Sequence, residues 1–188
     1  MPSSNNIIII GSSTGGPHIL KTILEDMPKL CAAILIVQHI PASFTESLCS
    51  HLQAYTNMPV LIAKEGDIPQ ESQILIAPTG HQLIIKKNKL IDLSITTRIH
   101  SVCPAVDCTM LSIQENMYHQ VMGIVLTGMG YDGTEGIQHI NAIKGITIAQ
   151  DPKTAPIATM PQSAINSGAV QFILTPEEIH KKILMFQI

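Results

Sequence analysis

With 188 residues, 45% of them hydrophobic but only 3% aromatic, the chain can fill one well-buried core from Ile, Leu, Val, Met and Ala, and is short for two. Its formal charge of -3 at pH 7 gives no electrostatic case for nucleic-acid binding, which calls for a basic face or stripe. No apolar run approaches a membrane span, no signal peptide is visible, and the four cysteines contain no Cys-x-x-Cys pair; we therefore expect a cytoplasmic protein with free thiols and no membrane insertion.

The isoleucine run at residues 7–10 predicts a buried strand. It opens directly into Gly11-Ser12-Ser13-Thr14-Gly15-Gly16-Pro17, with a helix expected over residues 17–25. Ser13 is the centre of a Gly-x-Ser-x-Gly pattern, which exposes a hydroxyl on a tight strand-to-helix turn. The amides of such a turn also form an anion site, suited to a bound phosphate or to the oxyanion of acyl transfer. Taken alone, Ser13 reads more simply as a helix cap.

A second strand at 33–37 leads to Gln38-His39-Ile40-Pro41, and Ser43-Phe44-Thr45-Glu46 fits a capping box for a helix over 44–54. Further strands are expected at 60–63 and 74–77. The stretch from 74 to 95 then breaks the rhythm. Residues 74–77, 83–87 and 90–93 read as antiparallel strands around Pro78-Thr79-Gly80 and Lys87-Asn88-Lys89. A helix is expected over 105–116. The strand at 121–126 empties into Thr127-Gly128-Met129-Gly130-Tyr131-Asp132-Gly133, and Asp132-Gly133-Thr134-Glu135 fits a capping box for a helix over 133–143.

Strands at 145–149 and 170–174 and helices at 161–166 and 176–185 complete the pattern. Thr175-Pro176-Glu177-Glu178 is a capping box with proline at the first helical position, and Ile179, Ile183 and Phe186 mark an apolar helix face. Strands that are apolar throughout, alternating with helices, predict an α/β fold. We expect a doubly wound, mostly parallel sheet with helices on both faces and a small antiparallel β-hairpin excursion, forming one domain over residues 1–188.

In such a sheet, sites gather beyond the carboxyl ends of the strands. Three loops there carry Ser13, His39 and Asp132. A serine hydroxyl needs a base to accept its proton, and an imidazole base gains from a carboxylate that fixes its tautomer. The chain order Ser, His, Asp differs from the Ser, Asp, His order of α/β-hydrolases. Each residue also has a plain reading: His39 as a turn residue before Pro41, Ser13 and Asp132 as caps. No pattern implies a metal or cofactor.

The motifs together resemble the catalytic domain of the bacterial chemotaxis protein-glutamate methylesterases. The resemblance spans residues 10–170 and rests on the Gly11 to Gly16 loop, Gln38-His39-Ile40-Pro41 with Phe44-Thr45, and Ala77-Pro78-Thr79-Gly80-His81. It continues through Leu126 to Gly133, Ala149-Gln150-Asp151 and Met160-Pro161-Gln162-Ser163-Ala164-Ile165. It implies Ser13 as nucleophile, His39 as base, Asp132 as orienting carboxylate, and the Met129 amide as oxyanion donor with Thr14 nearby. It also implies hydrolysis of glutamyl methyl esters on the methylated cytoplasmic domain of chemoreceptors, with methanol released; some members of the family also deamidate glutamine.

Family members commonly carry an N-terminal receiver domain. The nucleophile loop here begins at Gly11, so we expect no receiver within this sequence, any such partner being separate or missing. In Ser101-Val102-Cys103-Pro104-Ala105-Val106-Asp107, Cys103 replaces the family's usual arginine and Ala105 its serine. Two other readings remain open at this point: a non-enzymatic phosphate- or nucleotide-binding regulatory module, and a serine esterase for a substrate outside chemotaxis. The loop's lack of Gly-x-Gly-x-x-Gly order and of a Gly-Lys-Ser/Thr ending weighs against the first.

Overall fold

A computed structural model of the chain describes residues 4–94 and 102–186. Nine strands and six α-helices are present among them: β1 (Asn6–Ser12), α1 (Gly16–Leu24), β2 (Ala33–Gln38), α2 (Thr45–Gln53), β3 (Val60–Ile62), β4 (Gln73–Ile76), β5 (Gln82–Ile85), β6 (Ile91–Ser94), α3 (Val106–Leu111), β7 (Gln120–Val125), α4 (Thr134–Ala142), β8 (Ile146–Gln150), α5 (Thr159–Asn166), β9 (Phe172–Leu174) and α6 (Pro176–Leu184). Seven strands form one sheet in the order β3-β4-β2-β1-β7-β8-β9, and every pairing in it is parallel. β5 and β6 form a separate antiparallel pair.

The isoleucine run of β1 is apolar at successive positions because both of its faces are covered. Ile8 and Ile10 join a core with Leu20 and Ile23 of α1, Leu52 of α2 and Ile179 and Ile183 of α6. Ile7 and Ile9 face the opposite core, which holds Val106 and Met110 of α3, Ile137 and Ile140 of α4, Met160 of α5 and Leu83 and Ile85 of β5. Removing one such fully buried side chain loses its transfer energy and leaves a cavity. Ile8→Ala is expected to cost about 2–5 kcal/mol of stability, read by denaturant unfolding.

The chain leaves β1 toward β2 on one side and returns on the other side as β7. This reversal lies between β1 and β7, where open α/β sheets place their ligands at the carboxyl edge. The expected doubly wound architecture is therefore present, with three local corrections.

Residues 74–77 do not take part in an antiparallel excursion. β4 runs parallel to both β2 and β3, and only β5 and β6 reverse. Pro78 and the left-handed Gly80 turn the chain out of the sheet, and the Gly80 amide bonds the Cys103 carbonyl.

The helix expected over 105–116 stops at Leu111. Ser112 Oγ donates back to the Thr109 carbonyl and accepts the Ile85 amide, tying the helix end to β5. Finally, Ser43 forms no capping box. It lies inside a single 3-10 turn, Ala42–Phe44, and the residue before α2 is Phe44, with no side-chain cap. The box at Thr175 does form, with both of its hydrogen bonds.

Candidate active site

Strand register alone brings the first two residues together. Ser12 pairs with Gln38 at the ends of β1 and β2, so Ser13 and His39 are the next residues out on adjacent strands. The His39 amide donates to the Ser12 carbonyl (3.0 Å), and the Ser13 amide donates across the switch point to the Thr127 carbonyl (2.9 Å). Ser13 is thus held between the ends of β2 and β7. Its side chain caps nothing: the residue before α1 is Gly15, without a side-chain cap. Among the described residues the Ser13 hydroxyl takes no hydrogen-bond partner.

Asp132 does not cap α4 either, since Gly133 is the residue before that helix and no side-chain cap forms. It is buried, and its carboxylate serves another pair of elements. Oδ2 lies 2.8 Å from His39 Nε2 and accepts the Val106 amide at 2.7 Å, while Oδ1 accepts the Asp107 amide at 2.9 Å. Val106 and Asp107 open α3, whose first-turn amides lack partners within the helix. Asp107 returns the favour to α4, accepting the Gly136 amide through Oδ1 at 2.7 Å. The two carboxylates lock the first turns of α3 and α4 together.

Burial pushes the Asp132 carboxyl up, but the hydrogen bonds from His39 and from the Asp107 and Val106 amides outweigh it, holding the group below its ordinary value. Asp132 is therefore a carboxylate acceptor at neutral pH, which places the proton of His39 on Nε2 and the free lone pair on Nδ1. The nearby thiol of Cys108 offers no rival nucleophile. Burial, then the neighbouring Cys103, Asp132 and Asp107, push it up to about 11, so it stays protonated.

Backbone donors next to Ser13 have no protein acceptor. The amides of Thr14 and Met129 make no hydrogen bond among the described residues. The turn around Met129 is nonetheless tightly fixed: the Gly128 amide bonds the Ile157 carbonyl, and Thr159 Oγ1 donates to the Gly128 carbonyl and accepts the Gly130 amide. Thr127 Oγ1 bonds the carbonyls of Thr14 and Ile157. The buried Gln150 accepts the Thr127 amide. A fixed turn with an unused amide is what an oxyanion donor requires.

Gly128 is a glycine because of its neighbours: a Cβ there would sit 2.6 Å from Ser13 Cβ and 2.2 Å from Met160 Sδ. Gly128→Ala is expected to displace Ser13 and slow its reaction by about 100-fold, measured as the rate of covalent labelling of that serine.

The structure places Ser13, His39 and Asp132 at this one edge, with the backbone of Met129 and Thr14 in the adjoining turns; the sequence pointed to the Met129 amide, with Thr14 nearby. Sequence reasoning assigned no role to Thr127, Thr159, Gln150 or Gln38. Their signal is a polar residue at or just past the carboxyl end of an otherwise apolar strand, as at Gln38, Gln150 and Thr127, or a hydroxyl opening a helix, as at Thr159. Ser101 lies outside the described residues. Among those residues, no group of three His, Cys, Asp or Glu side chains converges as a metal site.

The chain is an α/β protein whose parallel, doubly covered sheet carries Ser13, His39 and Asp132 on its carboxyl edge at the switch point. The family model described as CheB methylesterase matches residues 8–183, and the chain belongs to that family. Among similar proteins is the protein-glutamate methylesterase/protein-glutamine glutaminase of Pyrococcus horikoshii, 38% identical over 181 residues, covering 94% of this chain and 49% of the relative. The protein of the same name from Symbiobacterium thermophilum is 36% identical over 174 residues, covering 92% of this chain and 48% of the relative. The chain thus spans about half the length of these curated relatives. The crystal structure of the Thermotoga maritima CheB methylesterase catalytic domain superposes with a TM-score of 0.92 at 34% identity, covering 97% of this chain and 98% of that one.

Proposed function

We propose that this chain, acting as a single catalytic domain, hydrolyses methyl esters of glutamyl side chains on the methylated cytoplasmic domain of chemoreceptors. The observation that carries the reading is the 2.8 Å contact between His39 Nε2 and Asp132 Oδ2, with Ser13 following the strand adjacent to that of His39. The names of its relatives, which include glutaminase activity, support the same ester and amide chemistry.

In the proposed reaction His39 Nδ1 takes the Ser13 proton as Oγ attacks the ester carbonyl. The carbonyl oxygen becomes an oxyanion that accepts hydrogen bonds from the Met129 amide, with the Thr14 amide beside it. Asp132 stabilises the imidazolium formed. The C–O bond to the leaving group then breaks, His39 returns the proton to it, and methanol departs. Water, deprotonated by the same nitrogen, attacks the acyl-Ser13 ester and releases glutamate with Ser13 restored. A glutamine side chain follows the same path with ammonia as the leaving group.

Mass spectrometry of methylated receptor cytoplasmic fragments, after incubation with the chain, is expected to show glutamyl methyl esters converted to glutamate. Esters left unchanged on a verified, folded fragment would overturn the reading.

A further inference from the structure

We infer that Gln38 is a positioning residue that sets the distance between the nucleophile loop and the base loop; the inference rests on the esterase reading above. Gln38 ends β2 and is only 1% exposed. A buried primary amide is costly unless its donors and acceptor are satisfied. Here one side chain reaches both catalytic loops. Oε1 accepts Ser12 Oγ at 2.6 Å, and Nε2 donates to the Ser13 carbonyl at 2.8 Å and to the His39 carbonyl at 3.1 Å.

The chemistry admits few substitutes. The two carbonyl oxygens only accept, so the group between them must offer two N–H bonds from one atom, which fixes the orientation of the amide. Glutamate would set a carboxylate oxygen against both carbonyls, and methionine would fill the space with no donor at all. The room itself is built in: at Gly16 a Cβ would fall 2.2 Å from Gln38 Oε1, so a larger residue there would drive the amide out. The Gly16 amide donates to the same Ser13 carbonyl at 2.9 Å. The Ser13 peptide is therefore clamped by the first amide of α1 and by Gln38 together, while the His39 peptide hangs from the same Nε2.

Strand pairing fixes Ser12 and Gln38, but the chain leaves the sheet just beyond them. The last backbone bond between the two strands runs from the His39 amide to the Ser12 carbonyl. Gln38 adds a tie one peptide further out, joining the carbonyls of Ser13 and His39, the two residues that must exchange a proton.

The test uses a fluorophosphonate probe that labels activated serines, comparing the intact chain with Gln38→Met, Gln38→Glu, Ser12→Ala and Ser13→Ala. Wild type is expected to be labelled at Ser13, with Ser13→Ala inert. Gln38→Met is expected to lower the limiting labelling rate by about 100-fold with the half-saturating probe concentration unchanged, because positioning acts on the reacting geometry and not on probe binding. Ser12→Ala, which only frees Oε1, should fall in the same direction by less. Melting temperatures and circular dichroism establish which variants are folded. A folded Gln38→Met with the wild-type limiting rate overturns the inference. If the Gln38 variants do not fold, a folded Ser12→Ala with the wild-type rate overturns it equally. Absence of Ser13 labelling in wild type would instead overturn the esterase reading, and the positioning claim with it.

Discussion

Ser13→Ala is expected to abolish ester hydrolysis, a loss of about six orders of magnitude relative to the intact chain, while leaving stability almost untouched. The two halves of this expectation have separate causes. The rate falls because no acyl-enzyme forms without Oγ, and the nearby Cys108 thiol is held protonated chiefly by its burial. Stability holds because the Ser13 hydroxyl bonds nothing among the described residues, so its removal strands no buried partner. The backbone bonds that fix the loop, from the Ser13 amide to Thr127 and from Gly16 to the Ser13 carbonyl, do not depend on the side chain. Hydrolysis of an activated acyl ester, measured alongside thermal melting, reads both.

Asp132→Asn carries the second large effect, and there rate and stability fall together. As a carboxylate, Asp132 accepts from three donors: His39 Nε2, the Val106 amide and the Asp107 amide. An asparagine offers one oxygen and one NH2, so at least one of these donors must face another donor. If the oxygen keeps Val106 and His39, the Asp107 amide is stranded, at a cost of about 1–3 kcal/mol. If it keeps Asp107, the new NH2 drives His39 to present its other tautomer or to move away. Loss of the correct tautomer is expected to lower kcat by about 10⁴-fold.

The stability component depends on pH with a definite sign. The Asp132 carboxyl lies below its ordinary 3.8 in the folded chain, so the unfolded chain binds the proton more readily. Its contribution is complete above that ordinary value and is lost as pH falls through the lower folded one. Asp132→Asn lacks the contribution at every pH. Denaturant unfolding should therefore show the gap between wild type and variant largest near neutrality and narrowing below about pH 4.

The sheet was legible because its strands are buried on both faces. Ile7 to Ile10 has no polar position to mislead the reading, and Ile179 with Ile183 falls on one helix face. The site loops were legible because register carries them: adjacent parallel strands that end together must present Ser13 and His39 together.

What escaped the sequence was set by partners distant in the chain. Asp132 fits a local capping box at Gly133-Thr134-Glu135, yet its carboxylate goes to amides 25 and 26 residues away, which bind it alongside His39. Residues 74–77 look the same whether paired parallel or antiparallel, and the choice lay with β2 and β3. Gln38 reads as a polar strand end before a turn. Only the positions of the Ser13 and His39 carbonyls give its amide a role.

The central claim, that Ser13 is the nucleophile of a glutamyl methylesterase, is tested most directly by methanol release from methylated chemoreceptor cytoplasmic fragments. The intact chain and Ser13→Ala would be compared on the same verified substrate. Release by the intact chain that disappears in Ser13→Ala is the predicted result. Equal release by the two proteins, or none by the folded intact chain, would contradict it.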